Sequence, residues 1–182
     1  MTVIWINGQF GGGKTTLATA LLRALPGAVL LDPEKVGHIL RETFPGKRKD
    51  FQDHGPWRPL VAAFAVQCHR YNDGRAVVVP MTLLREDYAR EIHDAIRAAG
   101  VPLRHLLLHA DSHTIGDRIE SSTEYPGDEQ RSEQVRVFRR RKLPAYFEAY
   151  EGWAGQSAEV IDTTRLTPGQ VAERALTIVG AR

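Results

Sequence analysis

The sequence has a single cysteine, Cys68, which excludes a disulfide within the chain. It has no apolar run long enough to span a bilayer and no basic, apolar leader at its start, so we expect a cytoplasmic protein without an integral membrane segment. It also lacks a strong charge excess: 24 Lys and Arg against 22 Asp and Glu leave +2, too little to indicate a nucleic-acid partner. Repeats, low-complexity tracts and linkers are missing too, and we expect one domain over residues 1–182.

Near its start the chain carries a glycine-rich run, Gly8-Gln9-Phe10-Gly11-Gly12-Gly13-Lys14-Thr15. The run matches G-x-x-x-x-G-K-[ST] at every fixed position. The apolar, β-branched segment 2–7 before it favours a buried strand, and the apolar spacing of residues 16–25 after it favours a helix. Strand, glycine loop and helix is the order that a phosphate-binding loop requires.

The residue types of this loop suit a nucleoside triphosphate. Glycines let backbone N–H groups turn toward a polyphosphate without Cβ clashes, and the helix N-terminus adds partial positive charge. Lys14 is placed to reach the β and γ phosphates, and the Thr15 hydroxyl to bind Mg²⁺. We therefore expect ATP and Mg²⁺ as cofactors. The predicted nucleotide-binding residues here are Gly8, Phe10, Gly11, Gly12, Gly13, Lys14, Thr15 and Thr16.

Strand-like and amphipathic helical runs alternate along the chain, the pattern of a parallel sheet covered by helices. The predicted fold is a three-layer α/β fold of the P-loop kinase type, with a five-stranded parallel sheet, flanking helices and a small helical lid. A Thr-x-x-Gln capping box at Thr167–Gln170 is expected to open the last helix. A basic helix is predicted from about Arg131, with a break at Pro144. Strands are predicted at 2–7, 28–31, 75–80, 103–110 and 159–162.

Asp32 is the predicted catalytic base. It ends the second strand, which we expect beside the loop strand, and ligands of open parallel sheets bind beyond the carboxyl ends of strands. A carboxylate there can accept the proton of an attacking hydroxyl. Asp32 before Pro33 is also a typical helix N-cap, and the two roles are compatible. The third strand carries no acid at its end, which argues against a motor or a switch GTPase.

Two basic clusters lie outside the loop, Lys47-Arg48-Lys49 and Arg139-Arg140-Arg141-Lys142. In the second region, Arg136, Arg139 and Arg140 are three or four residues apart and share one helix face. They follow a turn-rich segment, which predicts a lid at about 121–141 that closes on phosphates. A solvated basic face is the alternative.

Two further sets of residues are predicted to contact nucleotide. Arg118 precedes the lid and is expected to stack on adenine or to reach a phosphate. Thr163 and Thr164 follow the last strand and are expected at the adenine edge. His105 and His109 share one face of the fourth strand, where packing is the default interpretation.

Several blocks of the sequence together resemble the bacterial tunicamycin-resistance ATP-binding proteins, over most of the chain to about Arg118. The resemblance implies a nucleoside-kinase-like fold that binds ATP and gives resistance to tunicamycin, a uridine-containing, lipid-tailed nucleoside antibiotic. Members look like phosphotransferases similar to chloramphenicol phosphotransferase and shikimate kinase, and peripheral membrane contact through the last helix is linked to the family. The blocks are Ile4-Trp5-Ile6-Asn7-Gly8, Asp32-Pro33-Glu34, Phe51-Gln52-Asp53, Trp57-Arg58 and Val79-Pro80-Met81-Thr82, beside the glycine loop.

The expected activity is transfer of the ATP γ-phosphoryl group to a hydroxyl of a nucleoside-like or aminoglycoside-like acceptor, most simply tunicamycin. Two alternatives stay open: a protein that sequesters the drug and uses ATP only to organise its pocket, and a housekeeping kinase for a nucleoside or sugar acid. The acceptor region is predicted at about 33–72, and for Trp57 core packing is an equal alternative. The predicted acceptor-side residues are Asp32, Phe51, Gln52, Asp53, Trp57, Met81 and Thr82.

Overall fold

The computed structural model describes residues 2–46 and 50–180, so the cluster Lys47-Arg48-Lys49 lies outside the described residues. Within them, five parallel strands form one sheet in the order β2-β3-β1-β4-β5. The glycine-loop strand is therefore central. The strands are β1 (Val3–Gly8), β2 (Val29–Leu30), β3 (Val77–Pro80), β4 (Leu103–His109) and β5 (Glu159–Asp162).

Helices follow the strands in alternation and cover both faces of the sheet. This is the predicted three-layer α/β fold. The helices are α1 (Lys14–Ala24), α2 (Pro33–Thr43), α3 (Trp57–Tyr71), α4 (Glu86–Ala98), α5 (Ser112–Glu120), α6 (Glu129–Ala149), α7 (Gly155–Ser157) and α8 (Pro168–Ile178), with a 3₁₀ turn at Phe51–Asp53 and a π-helical turn at Tyr150–Ala154.

Alternation along β1 divides the core into two layers, because successive side chains of a strand point to opposite faces. Val3 and Trp5 pack with α3 and α4, whereas Ile4 and Ile6 pack with α1 and α8. Every residue of β1 is buried, as expected for the central strand of a sheet covered on both sides.

The predicted helix caps are present. The Asp32 carboxylate accepts a hydrogen bond from the Glu34 amide at 3.0 Å and caps α2, with Pro33 in the first turn. Thr167 and Gln170 form the capping box of α8. These caps set where α2 and α8 begin, both at the carboxyl edge of the sheet.

Two sequence-based predictions about the elements are wrong. The break expected at Pro144 does not occur, since α6 continues to Ala149 and passes directly into the π-helical turn. Pro144 is exposed, while Tyr146 and Ala149 are buried, so packing of the helix outweighs the loss of one backbone hydrogen bond. The strand beside β1 on this side is β3, so Asp32 lies at the end of a strand one position further out.

In the described ranges 2–46 and 50–180, no helix combines the length and the apolar character needed to traverse a lipid bilayer.

Candidate active site

The glycine loop runs from the end of β1 into the first turn of α1, at the carboxyl edge of the sheet. Gly11 and Gly13 have φ of 81° and 90°, backbone angles that L residues with a Cβ rarely adopt. Gly8 lies so close to β4 that a Cβ would come within 2.6 Å of the Leu108 carbonyl oxygen. The loop geometry thus requires glycine at the positions where the motif has it.

Two buried polar side chains fix the loop to its neighbours. Gln9 donates through Nε2 to the Ala110 carbonyl at 2.7 Å and accepts from the Ala110 amide at 3.0 Å. Asn7 accepts from the amides of Gly8 and Leu83 and donates to the Leu83 carbonyl. Sequence reasoning missed both anchors, because their partners are 76 to 101 residues away along the chain.

Lys14 is folded back on its own loop. Its Nζ donates to the Gln9 carbonyl at 2.8 Å and to the Gly8 carbonyl at 3.2 Å. Burial, together with the nearby Arg139 charge, lowers the pKa of Lys14 to about 7, and the Glu34 charge partly opposes this shift. The lysine ammonium therefore lies at the centre of the loop, between the lid and the start of α2.

A cavity of about 180 Å³ opens beside the loop, between α1, the start of α8 and the connection after β5. Its walls are mostly apolar, with one guanidinium and two threonines, a composition that suits a nucleoside. The lining residues are Gly11, Gly12, Gly13, Thr16, Leu17, Leu108, Arg118, Thr163, Leu166, Pro168 and Val171.

Arg118 is held in the cavity wall by Thr163. Its Nη1 donates to the Thr163 hydroxyl at 2.9 Å and its Nη2 to the Thr163 carbonyl at 2.7 Å. The structure thus brings these two predicted residues together. Thr164 instead accepts a hydrogen bond from the Asp111 amide and joins the β5 connection to the start of α5.

The lid segment (residues 121–141) is folded onto itself by ion pairs. Arg136 donates to Glu133 at 2.6 Å, to the Ser122 carbonyl at 3.0 Å and to Glu129. Arg140 pairs with Glu133 at 2.6 Å and with Glu120 of α5. In this conformation both guanidiniums bind carboxylates of the lid segment, and that of Arg140 also binds a carboxylate of α5.

Arg139 differs from the other two lid arginines in its position. Its Cδ lies 3.8 Å from where a Cβ on Gly11 would be, and its charge acts on Lys14. Phe138 beside it packs edge-on against Phe10 of the loop, with 5.3 Å between ring centroids. Phe10 therefore contacts the lid, a role that the loop motif does not predict.

The 3₁₀ turn packs against the middle of α2 and the segment that follows β3. The ring of Phe51 packs against Gly37, and its edge contacts His38 at a centroid distance of 5.1 Å. Gln52 donates to the Thr82 carbonyl at 2.8 Å, and Asp53 accepts from the Tyr88 hydroxyl at 2.9 Å. The predicted acceptor residues 51–53 are thus anchored next to the strand that adjoins the loop strand.

Three predicted acceptor-side residues are buried. Trp57 has no exposed surface and donates from its indole to the Pro33 carbonyl at 3.0 Å, which confirms the packing alternative and fixes the Asp32 turn. The Met81 carbonyl accepts from the Trp5 indole at 3.1 Å. The Thr82 hydroxyl donates to the Gly8 carbonyl at 2.8 Å. These side chains support the site from beneath.

The described residues contain no group of three or more His, Cys, Asp or Glu side chains that could hold a metal ion. Thr15 lies exposed in the first turn of α1, so its hydroxyl fits a cation that is bound mainly by phosphate oxygens and water. The end of β3, where many phosphate-loop hydrolases carry an acid, holds the hydroxyl of Thr82.

A glycine loop on the central strand of a parallel sheet, with a cavity beside it and helices on both faces, defines a nucleotide-binding protein with a P-loop kinase fold. A family model described as an AAA domain matches residues 3–144, well over half of the chain, and the chain belongs to this family. No curated protein matches the sequence significantly.

Solved structures support the same fold. The tunicamycin resistance protein of Deinococcus radiodurans is 28% identical, with a TM-score of 0.75 over 98% of this chain and 95% of that chain. A sugar kinase from Janibacter is 20% identical, with a TM-score of 0.64 over 100% and 95% of the two chains. A gluconokinase from Sinorhizobium meliloti is 16% identical, with a TM-score of 0.65 over 99% and 91%. The resemblance to tunicamycin-resistance proteins is thereby confirmed, and the two kinases show the fold alone.

Proposed function

We propose that the protein is an ATP-dependent phosphotransferase that moves the γ-phosphoryl group to a hydroxyl of a nucleoside-type antibiotic, with tunicamycin as the acceptor. The observation that carries the proposal is the position of the glycine loop: its residues 11–13 line the cavity, and its Lys14 is close enough to the start of α2 to be affected by the Glu34 charge. The tunicamycin resistance protein that matches over nearly the whole chain supports the choice of acceptor.

On the nucleotide side, the loop amides and Lys14 hold the phosphates, while the base enters the cavity against Arg118 and Thr163. To bind a triphosphate, Lys14 exchanges the carbonyls of Gly8 and Gln9 for phosphate oxygens. Thr164 positions the connection that forms the cavity edge. Mg²⁺ would be held by Thr15 and would neutralise charge between the phosphates.

On the acceptor side, Asp32 orients the reacting hydroxyl and accepts its proton as the phosphoryl group transfers. The rigid turn that presents Asp32 is supported by the indole of Trp57 through Pro33. Residues 33–72 form the acceptor region, with Phe51, Gln52 and Asp53 at its surface and Met81 and Thr82 beneath it.

The lid closes the site over the phosphates, which excludes water and adds positive charge during transfer. We assign direct phosphate contact to Arg139, because it lies against the loop. Arg136 and Arg140 hold the shape of the lid through Glu133. We expect the phosphoryl transfer to take place in the cytoplasm, where ATP is available.

The test is mass spectrometry of tunicamycin after incubation with the protein and Mg-ATP. The expected result is a drug heavier by one phosphate, with none formed by Lys14→Ala, which cannot hold the triphosphate. If the drug is unmodified but another hydroxyl compound causes ADP release in a substrate panel, tunicamycin is not the acceptor. The assignment as a kinase would then still hold.

The presence of Thr82 where an acid is common at the end of β3 favours a second candidate, an ATP-dependent protein that sequesters the drug. That candidate predicts saturable drug binding that depends on ATP, with both drug and ATP unchanged in mass. Equilibrium dialysis beside the mass measurement separates the two.

A further inference from the structure

Arg139 lies beside the glycine loop, with its Cδ 3.8 Å from the position that a Cβ on Gly11 would take. The lysine at the position of Lys14 reaches the β and γ phosphates in phosphate-binding loops. The charge of Arg139 lowers the pKa of Lys14, so the two side chains are close. The side chain of Arg139 is only 16% exposed, so its position is well defined by its surroundings.

Two lid residues hold this guanidinium. Nη2 pairs with a Glu124 carboxylate oxygen at 2.5 Å, and Nη1 donates to the Ser122 hydroxyl at 3.1 Å. A carboxylate bound to a guanidinium uses the same charge-assisted hydrogen bonds that a phosphate would use. The Glu124 carboxylate thus binds the same guanidinium donors that a terminal phosphate would need.

We propose that the Glu124 carboxylate and the terminal phosphate compete for Arg139. A bound triphosphate displaces Glu124 from Arg139, and Glu124 binds Arg139 again when only a diphosphate remains. Glu124 is then a residue that sets the preference of the site between triphosphate and diphosphate. The inference rests on the proposed nucleotide site and adds a specificity determinant to it.

The other lid ion pairs are built differently, which makes the exchange specific to Glu124. Glu133 binds Arg136 and Arg140 together, both at 2.6 Å, and ties two turns of α6 to each other. Glu129 pairs with Arg136, which also binds the Ser122 carbonyl. These contacts stay within the lid and α5, so a phosphate on the loop has no need to displace them.

Neutralising Glu124 is expected to raise the affinity for a triphosphate. Removing the negative charge of Glu124 leaves Arg139 without a competing anion, so the terminal phosphate binds more tightly. An ion pair of this exposure contributes up to about 1 kcal/mol, which corresponds to about fivefold in affinity. On this proposal a diphosphate lacks the phosphate that Arg139 binds, so its affinity gains little.

The experiment compares dissociation constants of fluorescent ATP and ADP analogues for wild type and Glu124→Gln, in the full chain with Mg²⁺. The expected result is about fivefold tighter ATP binding and less than a twofold change for ADP. Unchanged or weaker ATP binding overturns the inference, and so does an equal gain for both nucleotides.

Two controls fix the cause. Glu129→Gln removes a lid carboxylate of the same charge that pairs with Arg136, and it should leave both constants within twofold. In an Arg139→Met background, Glu124→Gln should have no effect on ATP, because the exchanged partner is gone. A wild-type protein that binds neither analogue would overturn the proposed function itself, whereas normal binding without a Glu124 effect overturns this inference alone.

Discussion

Lys14 is a single residue whose protonation decides how strongly the free protein attracts a triphosphate. Its pKa lies at about 7, below that of an ordinary lysine, because it is buried beside Arg139. Bound phosphates favour the ammonium form, so above about pH 7 binding must take up a proton. We therefore expect Mg-ATP affinity to be constant below pH 7 and to fall by up to about tenfold per pH unit above it.

Isothermal titration from pH 6 to 9, in buffers of different ionisation enthalpy, measures both the affinity and the proton uptake. Lys14→Arg is the matched control, since arginine keeps its charge throughout this range and should give a flat profile. An unchanged wild-type affinity between pH 7 and 9 would show that Lys14 is already fully charged in the free protein.

Asp32 combines a cap and a proposed base in one side chain, and a suitable substitution separates the two. Asparagine is as good an N-cap as aspartate, so Asp32→Asn retains the hydrogen bond to the Glu34 amide but cannot accept the proton. We expect unchanged ATP affinity and melting temperature, with phosphoryl transfer slower by at least about 100-fold. Transfer at the wild-type rate would remove Asp32 from the chemistry.

At the residue scale, the sequence identifies residues that belong to a local motif and misses those that act across the chain. The glycine loop and the cap at Asp32 are encoded within eight and three residues. The clamp between Gln9 and Ala110 joins residues 101 apart, and no local pattern signals it. Trp57 could be a pocket residue or a core residue by its type alone, and only the packing of α3 on the sheet decides for the core.

Among the elements, α8 begins with the capping box and also forms part of the cavity wall through Pro168 and Val171. Thr167→Ala removes the hydroxyl that accepts from the Gln170 amide at 3.3 Å. We expect a loss of about 1 kcal/mol in stability, about 2–4 °C in melting temperature, and weaker binding of the nucleoside portion of ATP.

Differential scanning fluorimetry with and without ATP measures this effect. Thr177→Ala is the matched control, because the Thr177 hydroxyl bonds within the same helix to the Glu173 carbonyl, far from the cap. Equal effects of the two substitutions would mean that the cap has no special role in forming the cavity.

The elements also show where local rules lose to packing. A proline inside a helix predicts a break, but α6 passes through Pro144 because the residues after it are needed in the core beside β4 and α5. The chain instead departs from regular α-helix at the π-helical turn. There the Trp153 indole donates to the Leu84 carbonyl at 3.2 Å, a tertiary contact that sequence pattern does not reveal.

At the scale of the whole molecule, two buried histidines make stability depend on pH. His93 of α4 and His105 of β4 lie with ring centroids 4.7 Å apart, and their Nε2 atoms have no hydrogen-bond partner among the described residues. Burial lowers the pKa of His93 to about 3 and that of His105 to about 4, with a further contribution to His93 from His105 and to both from Arg97.

Since both values lie below the ordinary histidine pKa of about 6.5, the folded protein binds fewer protons than the unfolded chain between these values. The stability that these two histidines contribute is therefore complete above pH 6.5, is lost progressively as the pH falls below 6.5, and is fully lost once the pH has fallen through the folded pKa values of about 4 and 3. At pH 5 we expect a loss of about 2 kcal/mol for each histidine in urea unfolding. His93→Leu should remove about half of this loss, whereas the exposed His113→Leu should leave it unchanged.

The fold class could be predicted from the sequence, but the order of the strands in the sheet could not. Alternating strand and helix patterns gave the parallel sheet, its five strands and the covering layers, because these follow from periodicity. The insertion of β3 between β1 and β2 depends on which strands pair, and the sequence patterns of the strands are too alike to specify this. For that reason Asp32 was expected one strand closer to the loop than it is.

The central position of β1 has a consequence for how such a protein can change over time. The walls of the nucleoside cavity come from α1, the start of α8 and Arg118, whereas the surface assigned to the acceptor comes from α2 and the 3₁₀ turn. Under the proposed function, substitutions that alter acceptor recognition can therefore accumulate on one side of β1 while the nucleotide-binding side is unchanged. A kinase with this arrangement can change its acceptor without changing how it binds nucleotide.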